Sequence, residues 1–489
     1  MTTTQQPLKK YSDTASEKRF IVKMLLLLTV IFLFRDTIFS FGMLALIMAP
    51  SIAMVFLWIK TITSGETFLN TLRQYVTFMP VVYTEKEWRS ERHLWATHLL
   101  ILANIVIHYA LIVWLGPERI SVLKTMACLP EEPRVWNSLL SPLAAMFLHA
   151  NAWHLWGNMV FLWVFGIVLE RRIGWKRFLE LYFATGIFSS IFQVVLPIIV
   201  ERQIIHGFGA SGAVAGVMGV FAVRLYYKRL VFPMPILGLF SLLLPLSLKI
   251  KLNSLLVIGI YFLSDLNAGM EQLAGSPSSI GHWAHVGGMA AGILLALRLK
   301  LQDQAIEEMH VERGIAAIEK GELFVDGEQA LRLALERNPN NETALLALAR
   351  ERSRIRPSDE GRELYQRLLH LLLKSKPSQA AEIFEEYYAL YRSPLDHSSQ
   401  YRMAGLLHRR GNLDLASRVL ETIADDPTAS ADWRERALFQ LGLTLEDLRL
   451  PEAARYRYEQ FLQRFPLSDN RPLVEEKLRK IPPPLPNGG

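Results

Sequence analysis

Six apolar runs between residues 96 and 297 constrain the fold more than any other feature of the sequence. Each is 17 to 27 residues long, and none carries more than one charged residue. An α-helix that crosses about 30 Å of hydrocarbon needs about 20 such residues. The sequence therefore predicts an all-α, polytopic membrane bundle with a six-span core. The runs are Ala96 to Leu115, Leu143 to Leu169, Phe178 to Val200, Ala210 to Tyr227, Ser254 to Met270 and Ile280 to Leu297.

The charges divide the chain into two parts that suit different solvents. Residues 1–300 carry 26 Lys and Arg and 15 Asp and Glu, a net charge of +11, whereas residues 301–489 carry 27 and 31, a net charge of −4. A hydrophobic content of 51%, a charged fraction of only 20% and a mean hydropathy of +0.21 are together too apolar for an ordinary soluble protein of this size. The single cysteine, Cys128, excludes an intramolecular disulfide framework and a cysteine-based zinc site. Basic residues lie beside apolar runs and not among aromatic residues, which argues against nucleic-acid binding.

We expect five segments along the chain. The apolar stretches Phe20 to Phe34 and Ile38 to Ile59 are interrupted by Arg35 and Asp36, and they could form a membrane hairpin, a re-entrant pair or an interfacial helix. The expected segments are a cytoplasmic tail with an extra hydrophobic hairpin (1–62), an amphipathic cytoplasmic linker (63–95), the six-span domain (96–300), a soluble helical repeat domain (301–480) and a disordered tail (481–489).

Basic residues in the connections between the runs predict the orientation. Sixteen Lys and Arg residues fall on one side of the six-span core and four on the other. Because cytoplasmic loops carry the excess of Lys and Arg, both ends of the core are expected in the cytoplasm. If the basic residues near the N-terminus also stay inside, the upstream apolar region crosses the membrane twice or not at all. We expect an integral protein of a bacterial cytoplasmic membrane, with its C-terminal domain in the cytoplasm.

Polar side chains inside the apolar runs are the candidate functional residues, because they are costly in a membrane. The second run contains His149, His154 and Asn158, the last two being four residues apart on one helix face. The fourth run opens with Gly209, Ala210, Ser211 and Gly212, and the sixth opens with His282 and His285, followed by Gly288 and Gly292.

Two structural explanations compete with a functional one. A serine in a span commonly bonds to a carbonyl of its own helix, and small residues four apart, such as Gly288 and Gly292, commonly mean close helix packing. The same packing would bring Ser211 near His285. A serine hydroxyl needs a base to become a nucleophile, and imidazole is the usual one. The backbone N–H of Ser211, the Asn158 amide and His154 could then stabilise an oxyanion.

Four segments in this order resemble the rhomboid family of intramembrane serine proteases. The first segment, HANAWHLWGNM, contains His149, His154 and Asn158. The second, ERRIG, starts at Glu170, the third, GASGAVAGVMG, starts at Gly209, and the fourth, AHVGGMAAG, starts at Ala284. The resemblance covers roughly residues 90 to 300.

The resemblance implies Ser211 as nucleophile and His285 as base in a dyad without an acid, with Asn158 and His154 serving the oxyanion. His149, Gly209, Gly212, Gly288 and Gly292 would support this site. It implies no cofactor and no metal. It also implies single-span transmembrane proteins as substrates, which would enter from the lipid bilayer.

The sequence departs from the family pattern at two places. The family often has Tyr or Phe four residues after the nucleophile, packed on the histidine, and this chain has Ala215. A Trp-Arg pair before the second span reads Trp136-Asn137 here.

Four further polar residues in or near the spans are not expected to take part in catalysis. Glu170 is predicted to tie loops together, and His282 to lie in a loop or interface. Asp265 is expected to reach the interface or to cap a loop, with a catalytic role as the less favoured alternative. His108 is expected to satisfy its hydrogen bonds within the bundle.

The last third of the chain shows self-similarity with a period of 36 to 38 residues. Ala416, Leu420 and Pro427 correspond to Ala454, Tyr458 and Pro466, and Ala380, Phe384 and Pro394 form a looser copy. Ala330 and Ala334 could begin a further unit. The pattern resembles tetratricopeptide repeats, which stack helix pairs into a surface that binds partner proteins. A helical domain without a binding role is the alternative.

Three functions are consistent with these features. The favoured one is a serine endopeptidase that cuts transmembrane segments, with cytoplasmic repeats for a protein partner or for regulation. The second is a proteolytically silent rhomboid-like protein that escorts membrane clients. A transporter is the least favoured, because ionisable residues are not distributed through the predicted bundle as an ion pathway requires.

Overall fold

The computed structural model describes most of the chain and divides it into two compact units, residues 1–305 and 306–489. The described residues are 22–23, 26–30, 33, 49–65, 67–77, 83–84, 94–116, 141–200, 209–235, 247–276, 280–319 and 324–481. The division lies five residues beyond the boundary expected near residue 300. About half of the predicted N-terminal hairpin lies outside the described residues, and Cys128, Trp136, Asn137 and the tail from residue 482 lie outside them entirely.

The first unit consists of helices and a small sheet. Its apolar helices follow the predicted runs closely, because uninterrupted apolar sequence favours helices that satisfy their own backbone hydrogen bonds in a membrane. Its elements are α1 (Ala49–Ser64), α2 (Phe68–Tyr75), β1 (Val76–Thr77), β2 (Tyr83–Thr84), α3 (Ala96–Leu115), α4 (Ala152–Ile173), α5 (Trp175–Ile199), α6 (Ser211–Arg224), β3 (Arg229–Pro235), β4 (Ser247–Asn253), α7 (Ser254–Leu273) and α8 (His282–Arg298). Helix α4 contains a π-helical turn at Leu162–Gly166.

Several of these helices span the membrane, so the protein is a multi-pass integral membrane protein. Within the described residues, α3, α4 and α5 are each long and apolar enough to cross a membrane alone. A fourth span results if α8 and the following helix, α9 (Leu301–Glu319), are counted together. Helix α6 has only 14 residues and α8 has 17. Six helices thus match the six predicted runs, but length and apolarity alone identify three or four of them as spans.

The second predicted run differs from the structure at its start. We expected a span from Leu143, but α4 begins at Ala152, and residues 141–145 form a separate helical turn. The side chain of Asn151 sets this start, because its Oδ1 accepts a hydrogen bond from the backbone N–H of His154 at 2.9 Å. His149 therefore lies in the loop before the helix, whereas His154 and Asn158 lie on α4.

A four-stranded antiparallel sheet, with strand order β1-β4-β3-β2, was not predicted. Strands β3 and β4 pair from Arg229 opposite Asn253 to Pro235 opposite Ser247. The short strands β1 and β2, in the segment that we expected to be a linker, pair with β4 and β3. Pairing partners so distant in sequence leave no local periodic signal. The protein is mostly helical, as predicted, but not entirely.

Helices α6 and α8 pack with their backbones in contact. A Cβ atom at Gly288 would clash with the carbonyl oxygen of Gly212, and one at Gly292 would clash with that of Gly216. Only glycine allows this approach. The fourth and sixth runs thus touch through their glycines, which is the condition under which Ser211 and His285 could lie near each other.

The second unit is a series of helices in which each packs against the next, and alternate helices also touch at α12 and α14 and at α14 and α16. This pattern is typical of stacked helix pairs. After α9, which contains the division between the units, the helices are α10 (Phe324–Arg337), α11 (Glu342–Ser353), α12 (Asp359–Ser375), α13 (Pro377–Tyr391), α14 (His397–Arg409), α15 (Leu413–Ala424), α16 (Ala431–Asp447), α17 (Pro451–Arg464) and α18 (Arg471–Lys480).

The predicted repeat positions are buried at equivalent places in the second unit. The repeated alanines and the large apolar residues four positions later lie in the second helix of each pair, and each is at most 1% exposed. These are Ala380 and Phe384 on α13, Ala416 and Leu420 on α15, and Ala454 and Tyr458 on α17. The sequence period thus corresponds to a structural repeat of helix pairs.

Candidate functional site

Ser211 is the first residue of α6, where a hydroxyl and a backbone N–H that has no partner among the described residues come together. The first N–H groups of a helix have no partner within it, so that of Ser211 is available to an acceptor. Ala210 precedes it as the N-cap residue and makes no side-chain cap. The Ser211 side chain is partly buried. Position and exposure both suit a nucleophile.

His285 lies in the first turn of α8 and is 8% exposed. A Cβ at Gly212 would lie 3.5 Å from the carbonyl oxygen of Ala284. Ser211 and His285 are therefore each one residue away from a close contact between the two helix starts. Among the described residues no hydrogen bond joins the two side chains. Catalytic hydrogen bonds are often long before substrate binds.

The predicted oxyanion residues lie beside the loop that leads to Ser211. Gly209 has φ +133°, which strongly favours glycine, and a Cβ there would lie 2.7 Å from Cε1 of His154 and 3.7 Å from Nδ2 of Asn158. Asn158 is 8% exposed, and its Nδ2 makes no hydrogen bond within the described part of the chain. A buried amide donor without a partner costs free energy of folding. Such a donor is therefore suited to bind an acceptor atom that arrives with the substrate.

His149 contacts the same loop next to His154. Its Nε2 accepts a hydrogen bond from the backbone N–H of Ala210 at 3.5 Å, and its ring packs edge-on against His154 with 5.3 Å between centroids. The backbone N–H of Gly209 donates to the carbonyl of Ala145 at 2.8 Å. Although His149 precedes the helix, it contacts the loop that it was predicted to support.

The imidazole of His285 contacts two side chains of α7 that sequence reasoning did not place in the site. Its Nδ1 lies 3.0 Å from Oδ2 of Asp265 and 3.4 Å from the hydroxyl of Tyr261. The Tyr261 ring stacks on the imidazole at 6.0 Å between centroids and 29° between planes. Tyr261 thus packs on the histidine, a contact that Ala215 on α6 cannot provide. With Nδ1 occupied, Nε2 is the nitrogen left for the serine proton.

Asp265 also contacts His282, the first residue of α8. Oδ1 of Asp265 lies 2.7 Å from Nδ1 of His282. Both acidic and imidazole groups are largely buried, with side-chain exposures of 10 to 12%. One signal for Asp265 was present in the sequence, because a carboxylate in an apolar run is a functional candidate by default. Tyr261 lies four residues before it, one helical turn away.

The side chains of Asp265, His282 and His285 together form a group that could hold a metal ion. The donor atoms of Asp265, His282 and His285 all lie within 4.8 Å of one another, and this is the one such group of three found in the described residues. The sequence led us to expect no metal.

Glu170 has the structural role expected of it. Its Oε1 accepts a hydrogen bond from the backbone N–H of Ala96 at 3.0 Å, and its Oε2 accepts from the N–H and the hydroxyl of Thr97 at 2.8 and 2.7 Å. The carboxylate thus ties the C-terminal part of α4 to the start of α3.

Part of the chain that includes this site is similar to a known protein domain. Residues 134–301 match the Rhomboid domain. The chain is 35% identical to Rhomboid protein 1, mitochondrial, of Saccharomyces cerevisiae over 103 residues, which is 20% of this chain and 30% of that protein. It is 33% identical to Putative rhomboid protease YdcA of Bacillus subtilis over 94 residues, which is 19% of this chain and 44% of that protein.

A longer match is to Rhomboid protease GluP of Bacillus subtilis, 27% identical over 292 residues, which is 57% of this chain and 50% of that protein. The chain matches half or less of the length of each of these three relatives. The matched Rhomboid domain, residues 134–301, contains α4 to α8, the helices that carry the residues described above, and this part of the chain is similar to rhomboid family proteins.

Proposed function

We propose that this protein is an intramembrane serine endopeptidase that cuts transmembrane segments of other membrane proteins. The observation that carries the proposal is the backbone contact of α6 and α8, which brings their first turns together with Ser211 on one and His285 on the other. The family match and the names of several relatives support a protease.

The chemistry follows from these groups. Oγ of Ser211 attacks the scissile carbonyl while Nε2 of His285 takes the hydroxyl proton. The resulting oxyanion accepts hydrogen bonds from the Ser211 backbone N–H, from Nδ2 of Asn158 and from His154. His285 then gives its proton to the leaving amine, and water, deprotonated in turn by His285, releases the acyl group from Ser211.

We infer single-span membrane proteins as substrates, because the polar groups of the site lie among apolar helices. The second unit is proposed to be a tetratricopeptide-like domain on the cytoplasmic side that binds a protein partner. The buried positions that repeat on α13, α15 and α17 support this proposal.

The test is cleavage of a model single-span substrate by purified protein in liposomes. Ser211→Ala and His285→Ala are each expected to reduce cleavage by at least about 10³-fold, as removal of a nucleophile or its base does in other serine proteases. Expression and thermal stability in detergent should stay unchanged.

Ser190→Ala is the matched control. The Ser190 hydroxyl lies on α5, and among the described residues its one hydrogen-bond partner is the carbonyl of Gly186 in its own helix, at 3.1 Å. This variant should cleave at the wild-type rate. Cleavage by the Ser211→Ala protein would refute the proposed nucleophile, and a wild-type protein that binds the substrate without cutting it would favour the escort role.

A further inference from the structure

Asp265 is a buried carboxylate near the middle of an apolar helix, and it lies between the two histidines of α8. We propose that Asp265 is a positioning residue that fixes the tautomer and orientation of His285, so that Ser211 works with a His-Asp pair in place of a lone histidine. This inference rests on the proposed function, and it departs from the acid-free dyad that the family resemblance implies.

The carboxylate divides its two oxygens between the two rings. Oδ2 lies 3.0 Å from Nδ1 of His285, and Oδ1 lies 2.7 Å from Nδ1 of His282. Both are hydrogen-bond distances. An ionised carboxylate can only accept hydrogen bonds, so each imidazole must present an N–H at Nδ1. His282 thereby orients Asp265, and Asp265 orients His285.

This arrangement determines which nitrogen of His285 reacts. A neutral imidazole carries one proton, and a proton on Nδ1 leaves the lone pair on Nε2. During attack, the Ser211 proton moves to Nε2, and the imidazolium that forms lies beside the negative charge of Asp265. The proton then leaves from Nε2 to the amine, while Asp265 stays ionised throughout.

A purely structural link between helices would not require this cluster. The first turn of α8 is already tied to α5, because Oε1 of Gln193 accepts a hydrogen bond from the backbone N–H of Ala284 at 2.7 Å. That link uses a neutral amide. A buried charge is far more costly than an amide in an apolar surrounding, so the carboxylate at position 265 indicates a need for charge beside His285.

The distances favour hydrogen bonds over a shared metal ion. Two ligands of a tetrahedral ion, bonded at about 2.0 Å, lie about 3.3 Å apart. The Asp265 oxygens lie 2.7 and 3.0 Å from the two nitrogens, which leaves room for a proton. A hydrogen-bonded cluster also leaves His285 able to act as a base.

Steady-state cleavage of the model substrate in liposomes tests the role of Asp265. Asp265→Leu removes the acceptor and is expected to lower kcat by up to about 10⁴-fold, as loss of the triad carboxylate does in other serine proteases, with KM changed less than about twofold. Asp265→Asn keeps one acceptor oxygen for two rings, so its kcat should lie between those of wild type and Asp265→Leu. Asp265→Glu keeps the charge and should recover part of the rate.

Two controls separate this role from others. Glu271→Gln removes another carboxylate of α7, one that is exposed and bonds to Nδ2 of Asn267 at 2.7 Å, and it should leave kcat unchanged. Addition of EDTA should leave the wild-type rate unchanged. Wild-type kcat in Asp265→Leu, a rate that falls only in step with the melting temperature, or loss of wild-type activity in EDTA would each overturn the proposal.

The tautomer can be read without any activity. In ¹⁵N-histidine spectra of the protein in liposomes, with His285 assigned by its absence in His285→Gln, we expect the ring proton on Nδ1 in wild type and a mixture of the Nδ1–H and Nε2–H tautomers in Asp265→Leu. An unchanged tautomer would contradict the proposal. A wild-type protein that does not cleave would refute the proposed function, while this spectrum would still decide the role of Asp265.

Discussion

The two units of this protein are both built from helices, but they pack in different ways. In the first unit, which carries the membrane-spanning helices and is called the membrane unit below, the backbones of α6 and α8 are in contact at Gly212 and Gly288. In the second unit, called the helical unit below, large side chains fill the space between helices, and Tyr458 and Phe461 are fully buried. In lipid there is no hydrophobic gain from burying another apolar side chain, so close backbone packing takes its place. In water, burial of large side chains drives association.

Polar groups also have different tasks in the two units. On the helical unit, ion pairs link neighbouring helices at the surface, as between Arg350 of α11 and Glu386 of α13. In the membrane unit, the buried polar side chains include His149, Asn158, Asp265 and His285 of the candidate site, and others lie elsewhere, such as Asn104 on α3, Ser189 on α5 and Arg224 on α6. A polar group is common where water can reach it, whereas in an apolar bundle it is costly and has either a structural partner, as Glu170 has, or a candidate role in function.

A glycine-to-alanine substitution made in each unit should show the largest difference in stability between them. Gly288→Ala puts a methyl group against the backbone carbonyl of Gly212, which cannot move without shifting α6, whereas Gly442→Ala puts one against the buried ring of Tyr458, a side chain that can be displaced without moving its helix backbone. We expect Gly288→Ala to lose about 3 kcal/mol or more, with cleavage lost as well, and Gly442→Ala to lose about 1–2 kcal/mol. Thermal unfolding in detergent would measure both.

Gly157→Ala is the control for these two variants, because a Cβ at Gly157 meets nothing within 4 Å. Its stability should stay the same or rise slightly, as alanine is the better helix former. Equal losses at Gly288 and Gly442 would show that backbone contact does not distinguish the two units.

A smaller effect is expected from the surface ion pair of the helical unit. The Arg350 guanidinium, with Nε at 2.9 Å and Nη2 at 2.7 Å from the carboxylate, holds the pKa of Glu386 below its usual 4.5, and the Tyr365 hydroxyl donates to it at 2.6 Å. Because the pKa of Glu386 is lower in the folded state, its contribution is present above about pH 4.5 and disappears as the pH falls through the lower, folded value.

Urea unfolding of residues 306–489 would measure this contribution, since the core clusters of that unit contain only its own residues. Glu386→Gln should cost at most about 1 kcal/mol at pH 7, as is usual for a partly exposed pair, and nothing at pH 2. Glu363→Gln, on the exposed side of α12, should cost nothing at either pH. A cost for Glu386→Gln that persists at pH 2 would show that charge is not its source.

Sequence reasoning reached those features that depend on composition along a single helix. The apolar runs predicted the helices of the membrane unit, and glycines four apart predicted the contact of α6 with α8. The buried repeat positions, from Ala380 to Tyr458, were visible because each recurs at a regular period.

Features that depend on how one helix is rotated toward another were missed. Asp265 was noted in the sequence, but the face of α7 that meets α8 is not fixed by composition, so its contact with His285 could not be derived. Tyr261 packs on the His285 ring from a different helix than the family pattern indicates. Strands β1 and β2 are two residues each, too short for a pattern of alternation to identify them.

Covalent labelling of Ser211 tests the central claim most directly. A fluorophosphonate probe reacts only with a serine hydroxyl that a neighbouring base activates. With the protein in liposomes, mass spectrometry should find the probe on the peptide that contains Ser211. Labelling should disappear in Ser211→Ala, in His285→Ala and after heat denaturation, and persist in Ser190→Ala. Absence of label on the folded wild-type protein, or label of equal strength in His285→Ala, would contradict the assignment of Ser211 and His285 as nucleophile and base.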